Sequence, residues 1–361
     1  MSGLGVGGAE LHTLGLRAGV QADDVRTTLV AHGTRRAQAM ERRPGAGGAI
    51  QLNIRGMSSL RGWWRVWRLL RSERPDLVVA VNQSPLIVAI VARLLGATAA
   101  RIACIYHTTI LRPGDERTQG VFRWAVGRSD ALVYVSERQA SYWRARGLLS
   151  RRDVVIQNGV DLVAFRPDRA ARAEMRAGLG IADGDFVIGV VASLWAEKNH
   201  LHVVEAVAAL QASGVAARAV FVGDGPMRTA IEQRARALGI EARVAMIGDV
   251  EDVQPYIAAF DVGVLASVAV ETFSLAALEC LACGVPMVMS DIGGAAEIVE
   301  DGVNGRLLPP GDLPTLVAAL SEMAVPAYRA RLAAAARGSV ERYSVERMLS
   351  AYRALFASLG R

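Results

Sequence analysis

Lys198 is the only lysine in a chain of 361 residues; the other forty of the 41 basic side chains are arginines. Lysine presents a compact ammonium on a flexible stem, whereas arginine's guanidinium is a wide planar fork. A compact cation suits a phosphate oxygen in a narrow pocket. Lys198 follows an apolar run, Phe186 to Ala192, and α/β proteins place ligand groups just past the carboxyl ends of such strands. Composition alone slightly favours neutral drift on a solvated loop; the rest of the chain reverses that order.

The densest chemistry lies at Glu271-Thr-Phe-Ser-Leu-Ala-Ala-Leu-Glu279. Ser274 is a good cap for a helix running from Leu275 to Cys283 and ended by Gly284. First-turn amides after such a cap point outward and form a phosphate site. Glu271 precedes the helix and Glu279 falls in its second turn, so one carboxylate can reach a sugar ring while the other chelates vicinal hydroxyls. Acidic residues near a helix start also complement its dipole. That plainer reading is better for either glutamate alone, but not for the whole segment. His107 follows a strand-like run, and its context favours a catalytic placement over a core one. Gly7-Gly8, Asp224-Gly225 and Asn158-Gly159 are, singly, ordinary turns. Asp183-Gly-Asp185 mimics a metal-binding pair but sits in a polar linker before a strand, and reads as a turn.

These residues need a frame to hold them. Strand-like runs at 77–81, 101–106, 131–135 and 154–156, with helices at 85–95 and 137–146, make one βα series. A second has strands at 187–192, 219–222, 244–247, 262–265 and 286–289. Helices follow those at about 201–212, 226–238, 253–259, 275–283 and 313–323. Alternation of this kind predicts parallel sheets. Two series predict an α/β chain of two Rossmann-like, doubly wound domains facing a central cleft. The join is expected near Phe165–Asp168, which divides the chain into 1–165, 166–340 and a last helix within 341–361.

Composition narrows the classes. No run of eighteen apolar residues lacks charge, so a membrane-spanning helix is not expected. Cys104, Cys280 and Cys283 cannot build a disulfide framework, and their scarcity fits a reducing cytosol. The Cys280/Cys283 pair lacks partners for zinc and reads as small residues on a packed helix. Residues 1–165 carry 23 arginines and 12 acidic residues, a balance of +11, within a whole-chain net charge of +6. No nucleic-acid motif accompanies that charge. An anionic lipid surface or a phosphorylated acceptor fits it at least as well.

In order, Gly7-Gly-Ala-Glu10, the segment around His107, Asn158-Gly-Val-Asp161, Lys198, Gly223-Asp-Gly-Pro226, the Glu271/Glu279 segment, Gly293-Gly294 and Asp301-Gly-Val-Asn-Gly305 resemble the retaining GT-B glycosyltransferases of family 4. The resemblance covers nearly the whole chain. It implies that Lys198 neutralises a donor diphosphate, that Glu279 holds ribose hydroxyls, and that Glu271 with the amides of Phe273, Ser274 and Leu275 meets the sugar and β-phosphate. It further implies that Gly223 and Gly225 let a loop approach the nucleotide. Gly7 and Gly8 would admit phosphate from the other domain, and His107 would line the centre beside the transferred sugar. The co-substrate would be a nucleoside-diphosphate sugar, with no cofactor and no metal, and the last helix would cross back to the first domain.

The chain departs from the family pattern twice. Ser193 stands where the family often has an arginine, five positions before the lysine, within the donor-binding set. Only six residues precede Gly7, where relatives usually have a strand. The first strand of the 1–165 domain is therefore expected to be missing, and an upstream-extended chain is expected to be more stable.

The segment Leu60-Arg-Gly-Trp-Trp-Arg-Val-Trp-Arg-Leu-Leu-Arg71 has two readings. It is expected to be an amphipathic helix on the sheet, with Leu60, Trp63, Trp64, Trp67 and Leu70 to a first approximation sharing a face. The alternative is a helix lying in an anionic membrane interface. The function expected from all of this is metal-independent, retaining sugar transfer to a glycan or lipid-linked acceptor in surface polysaccharide or glycolipid synthesis. It would take place in the cytoplasm, with the protein either free or peripheral on the inner face of the membrane. A non-hydrolysing sugar-nucleotide 2-epimerase and a non-catalytic GT-B protein are the other classes weighed.

Overall fold

The computed structural model describes residues 7–23, 25–31, 45–52, 59–109 and 116–360. The six residues before Gly7, on which the expectation of a missing strand rests, lie outside that set. Two compact units emerge: Met1–Asn158 with Arg347–Arg361, and Gly159–Glu346.

In the first unit, α1 (Gly8–Gln21) leads to a short parallel pair, β1 (Val30–Ala31) and β2 (Ile50–Gln51). Then come α2 (Leu60–Glu73), β3 (Leu77–Val81), α3 (Gln83–Leu94), β4 (Arg101–Tyr106), α4 (Glu116–Val126), β5 (Ala131–Tyr134), α5 (Glu137–Arg144) and β6 (Asp153–Val155). Strands β3 to β6 form a parallel sheet in sequence order. A parallel sheet covered on both faces reads as continuous apolar residues rather than an alternation. Ile102 to Tyr106 and the whole of β5 are accordingly buried. Strand β3 is less so, because its far edge borders a cavity of about 830 Å³ that α1, α2 and α3 also line.

The second unit holds α6 (Arg169–Gly178), β7 (Phe186–Val191), α7 (His200–Ala212), β8 (Ala217–Val222), α8 (Arg228–Ala237), β9 (Val244–Gly248), α9 (Gln254–Ala259), β10 (Val262–Leu265), α10 (Leu275–Ala282), β11 (Met287–Ser290), α11 (Ala295–Ile298), β12 (Gly305–Leu308), α12 (Leu313–Ala324) and α13 (Pro326–Val340). Helix α14 (Val345–Leu359) follows. Its sheet runs β12-β11-β10-β7-β8-β9, all parallel. Chain order therefore reverses between β7 and β10. In open α/β sheets, ligands bind beyond the carboxyl ends of the strands at such a switch point.

The amino ends of both sheets are tied the same way. Asp130 stands just before β5 and accepts the Ile102 N–H of β4 at 2.8 Å, with Arg93 at 2.7 Å. Asp261 stands just before β10 and accepts the Val187 N–H of β7 at 2.8 Å, with Arg172 at 2.7 Å and Arg176 at 3.3 Å. Burial opposes the charge on Asp130, but the Ile102 amide and the arginines outweigh it and hold the carboxyl below its usual range. Asp185, from the apparent metal pair, is likewise buried and bonded to Arg218 and Arg243. It is a structural ion pair.

Removing one partner of a buried charged network leaves the others uncompensated. Asp261→Ala is expected to cost the second unit about 3 kcal/mol in urea unfolding followed by circular dichroism. Glu205→Ala, which removes a partner from the more exposed Arg234 pair, should cost less than about 1 kcal/mol.

Candidate functional site

The carboxyl ends of β7, β8, β10 and β11 carry the predicted donor residues. Ser193 comes two residues after β7, and Lys198 ends the tight turn Ala196–Lys198 that leads into α7. The Lys198 Nζ donates to the Glu271 carboxylate at 2.7 Å and to the Val270 carbonyl at 3.3 Å. Glu271 arrives from the loop after β10, so the pair joins the two strands flanking the switch point. Their side chains are 22% and 12% exposed, shielded from water yet open to a ligand. An ammonium has three donors, and these two contacts use two of them. The Ser267 hydroxyl also reaches the Glu271 carboxylate at 3.4 Å, and the Val268 N–H donates to the Glu197 carbonyl. The two loops are thereby stitched together.

What holds Glu271 is a glycine. Gly293, after β11, has φ 54°, and a Cβ there would lie 1.6 Å from the Glu271 carbonyl oxygen. Only glycine lets these backbones approach so closely without strain. The next residue, Gly294, donates its N–H to the Thr272 carbonyl at 2.7 Å. Gly223, after β8, is used similarly. Its φ is 130°, and a Cβ would fall 2.2 Å from the Ala192 carbonyl. A Cβ at Gly225 would lie 2.7 Å from the Leu194 carbonyl oxygen, so the glycine loop is pressed against the chain leading from β7 toward Lys198.

Ser274 caps α10, accepting the Ala277 N–H at 3.2 Å. Phe273 is buried edge-on against the Tyr343 ring, 5.2 Å away. Leu275 opens the helix and Glu279 lies half-buried in it. Cys280 and Cys283 are buried free thiols in the same packing. Among the described residues, no group of three His, Cys, Asp or Glu side chains could hold a metal ion.

His107, Gly7 and Gly8 belong to the first unit. Gly7 precedes α1 in an extended conformation, and Gly8 opens the helix with space where a Cβ would be. His107 follows β4. Its N–H donates to the Asn82 side-chain oxygen at 2.8 Å, and Asn82 itself has φ 67°. From α5, Gln139 donates to the Tyr106 carbonyl at 2.6 Å and the Thr108 carbonyl at 3.0 Å, while the Trp143 indole donates to Thr108 at 2.7 Å. The backbone on either side of His107 is thus clamped. Its ring meets that of His12, centroids 4.8 Å apart, and His12 Nε2 lies 3.2 Å from the Tyr352 hydroxyl.

Sequence reasoning missed His12, Asn82, Gln139 and Tyr352. The only available signal was a histidine on the buried face of α1.

Burial pushes His12 down to about 4. Burial, then the neighbouring His12, takes His107 well below its ordinary value. Both rings are neutral at pH 7. Because the unfolded histidine titrates near 6.5, the unfolded state binds more protons below that pH. The stabilisation from neutral burial is therefore complete above about 6.5 and is lost as pH falls from there toward about 4. For His12 it amounts to roughly 3 kcal/mol. Urea unfolding followed by tryptophan fluorescence reports largely on the first unit, which holds five of the six tryptophans. The expected result is a steep loss of stability across that window, flattened in His12→Gln.

Comparison with known proteins places the chain in a family and a fold. The family described as Glycosyltransferase Family 4 matches residues 6–163, and that described as Glycosyl transferases group 1 matches residues 185–324. D-inositol 3-phosphate glycosyltransferase of Saccharomonospora viridis is 34% identical over 220 residues, 56% of this chain and 50% of that protein. An Escherichia coli UDP-Gal:alpha-D-GlcNAc-diphosphoundecaprenol alpha-1,3-galactosyltransferase is 25% identical over 283 residues, 74% and 71% of the two chains. For several curated relatives, the match spans only about half of their length. Anabaena HepE, solved with UDP-glucose, superposes with a TM-score of 0.85 at 24% identity over 98% of this chain and 96% of that one. Sucrose-phosphate synthase of Thermosynechococcus elongatus gives 0.79 at 20% identity, over 98% and 94%. The fold is GT-B, and with the two family descriptions together spanning most of its length, the chain belongs to the group 1, family 4 glycosyltransferases.

Proposed function

We propose that the chain moves a sugar from a nucleoside-diphosphate donor to a glycan or lipid-linked acceptor in the synthesis of a surface polysaccharide or glycolipid. The observation that carries this reading is the Lys198–Glu271 pair at the switch point. Breaking the anomeric bond develops negative charge on the departing diphosphate and positive charge on the sugar. A fixed ammonium beside a helix start favours the first of these, which is electrostatic catalysis rather than proton transfer. In this reading Lys198 receives the diphosphate with its remaining donor, Glu271 orients both the lysine and the sugar, and Glu279 takes the ribose hydroxyls. Gly223 and Gly225 let the loop backbone approach the nucleotide.

With Lys198 and the amides of Phe273, Ser274 and Leu275 stabilising the leaving group, the proposed reaction needs no metal, no resident cofactor and no carboxylate nucleophile. The leaving phosphate assists front-face attack, so the anomeric configuration is retained. The name of the Escherichia coli relative specifies a UDP-sugar donor and a diphosphoundecaprenol-linked acceptor. That supports a lipid-linked acceptor here, and with it work at the inner face of the membrane. No helix among the described residues is long and apolar enough to cross a membrane, so any attachment of that helical part is to the surface.

A thermal-shift panel of UDP-, GDP- and ADP-sugars tests the site. One nucleotide class is expected to raise the melting temperature, and Lys198→Ala should weaken its binding by roughly ten- to a hundredfold, as loss of a charged hydrogen bond does. A flat response to all three donors overturns the reading. Gly293→Ala should also weaken binding, because the new methyl group would displace the Glu271 backbone. Turnover with the identified donor should survive a chelator, and NMR of the product should show the donor's anomeric configuration.

A further inference from the structure

The first unit buries a polar chain apart from the donor residues. His12, on α1, is 3% exposed, and Tyr352 of α14 is fully buried. The Tyr352 hydroxyl lies 3.2 Å from His12 Nε2, and the two rings meet edge-on with centroids 5.5 Å apart. His12 also meets the ring of His107, again edge-on, at 4.8 Å. Burying polar rings costs free energy that apolar rings of similar size would not, so the choice of these residue types asks for a reason.

Burial keeps the Tyr352 phenol protonated and His12 neutral at pH 7. With the phenol O–H donating to Nε2, the one proton of the His12 ring sits on Nδ1. That nitrogen has no hydrogen-bond partner among the described residues. The phenol thus fixes both the tautomer and the tilt of the ring that lies against His107.

Tyr352 is itself held firmly. Leu349, Tyr352 and Arg353 fall on one face of α14, at spacings of three and four. A Cβ on Gly19 of α1 would lie 2.5 Å from the Leu349 methyl groups, so the two helices approach closely there. Arg353 forks onto the Asp23 carboxylate at 2.6 and 3.0 Å and reaches the Gly19 carbonyl at 3.3 Å. Contacts on both sides of Tyr352 therefore seat it against α1.

The clamp formed by Asn82, Gln139 and Trp143 fixes the backbone around His107. The torsion of the ring is a separate matter, and the His12 ring lies against it. We propose that Tyr352 and His12 are positioning residues, whose hydrogen bond holds the His107 ring in the orientation that sugar transfer uses. Both are too buried to meet a ligand themselves, so they act through His107. The inference rests on the transferase reading, with His107 in the catalytic set.

The test joins NMR to kinetics on the full chain. With isotope-labelled histidine, Tyr352→Phe should shift the ring nitrogens of His107, whose signals His107→Ala identifies. Kinetics follow release of nucleoside diphosphate from the donor that the thermal-shift panel selects, with water as acceptor. His12→Leu should lower kcat roughly tenfold and Tyr352→Phe about fivefold, since small misplacements of a catalytic group cost that much or more. Donor KM should stay within about twofold, as for a group that does not bind the ground state. Tyr352→Phe removes a single oxygen and keeps the packing, should His12→Leu fail to fold. His12→Gln, whose amide can still accept from Tyr352, should recover most of the lost turnover. In His107→Ala, adding His12→Leu should cost nothing further, the non-additivity expected of residues that act through one another. Leu16→Ala, one turn along α1, should lower the melting temperature and leave kcat unchanged. Unchanged His107 signals in Tyr352→Phe, turnover indifferent to His12→Leu, additive losses in the double variant, or losses that simply follow melting temperature overturn the inference and leave the transferase reading standing. No thermal shift with any donor defeats that reading, and this inference falls with it.

Discussion

Each strand pair among the described residues runs parallel, and each main sheet is covered by helices. Everything else in the structure depends on this constraint. A parallel strand buried on both faces has no room for polar side chains along its length, so polar chemistry is driven to the strand ends. The amino ends use it for cohesion: Asp130 and Asp261 each accept a backbone N–H from the adjoining strand and gather arginines around the same carboxylate. The carboxyl ends carry the candidate site residues, with Lys198, Gly223, Glu271 and Gly293 in one unit and His107 in the other. Cohesion and the proposed binding thus fall at opposite edges of the same sheets.

The recognition edge is arranged largely by backbone. Glu271 sits where it does because Gly293 admits a carbonyl oxygen into the space a side chain would fill, and because Gly294 bonds the following residue. Lys198 is then positioned by Glu271 and Val270 rather than by helix packing. A mobile ammonium would lose rotamer entropy on binding an anion. One already held by two acceptors has lost much of it beforehand. The same pairing partly neutralises the lysine, so an anion must share the ammonium with Glu271. A chain whose other basic groups are all arginines retains here the side chain whose three donors can be divided in that way.

Much of this was legible in the sequence, for physical reasons that also explain the omissions. Leu77–Val81, Arg101–Tyr106 and Val262–Leu265 announce themselves because strands buried on both faces are continuous apolar runs. Strand β12 does not: Gly305-Arg-Leu-Leu308 is a short edge strand with a charge inside it. Helix α13 is alanine-rich with little amphipathic contrast, so periodicity gives it no signature. Trp63 and Trp64 do not share the face expected of them, because neighbours on a helix are about 100° apart: Trp63 packs on the core and Trp64 is exposed. In the site, Lys198 and Glu271 could each be singled out, but their direct bond spans 73 positions and depends on a reversal of strand order. The His107–His12–Tyr352 contact was equally hidden, because it joins β4 to helices from the two ends of the chain.

That histidine contact has an electrostatic logic of its own. A cationic imidazole beside His12 would be doubly disfavoured, by loss of water and by the second ring, and the burial that lowers both groups keeps them neutral at physiological pH. In the proposed reaction, the sugar acquires positive charge as the donor bond breaks. A cationic group would oppose that step, whereas a neutral imidazole offers a dipole and a hydrogen-bonding edge without adding charge. Lys198 faces the contrary demand, since the diphosphate it would meet becomes more negative. It remains 22% exposed and carries Glu271 as counter-ion. A buried, neutral histidine pair and a partly exposed lysine held by a counter-ion are thus two ways in which surroundings set the charge of a side chain.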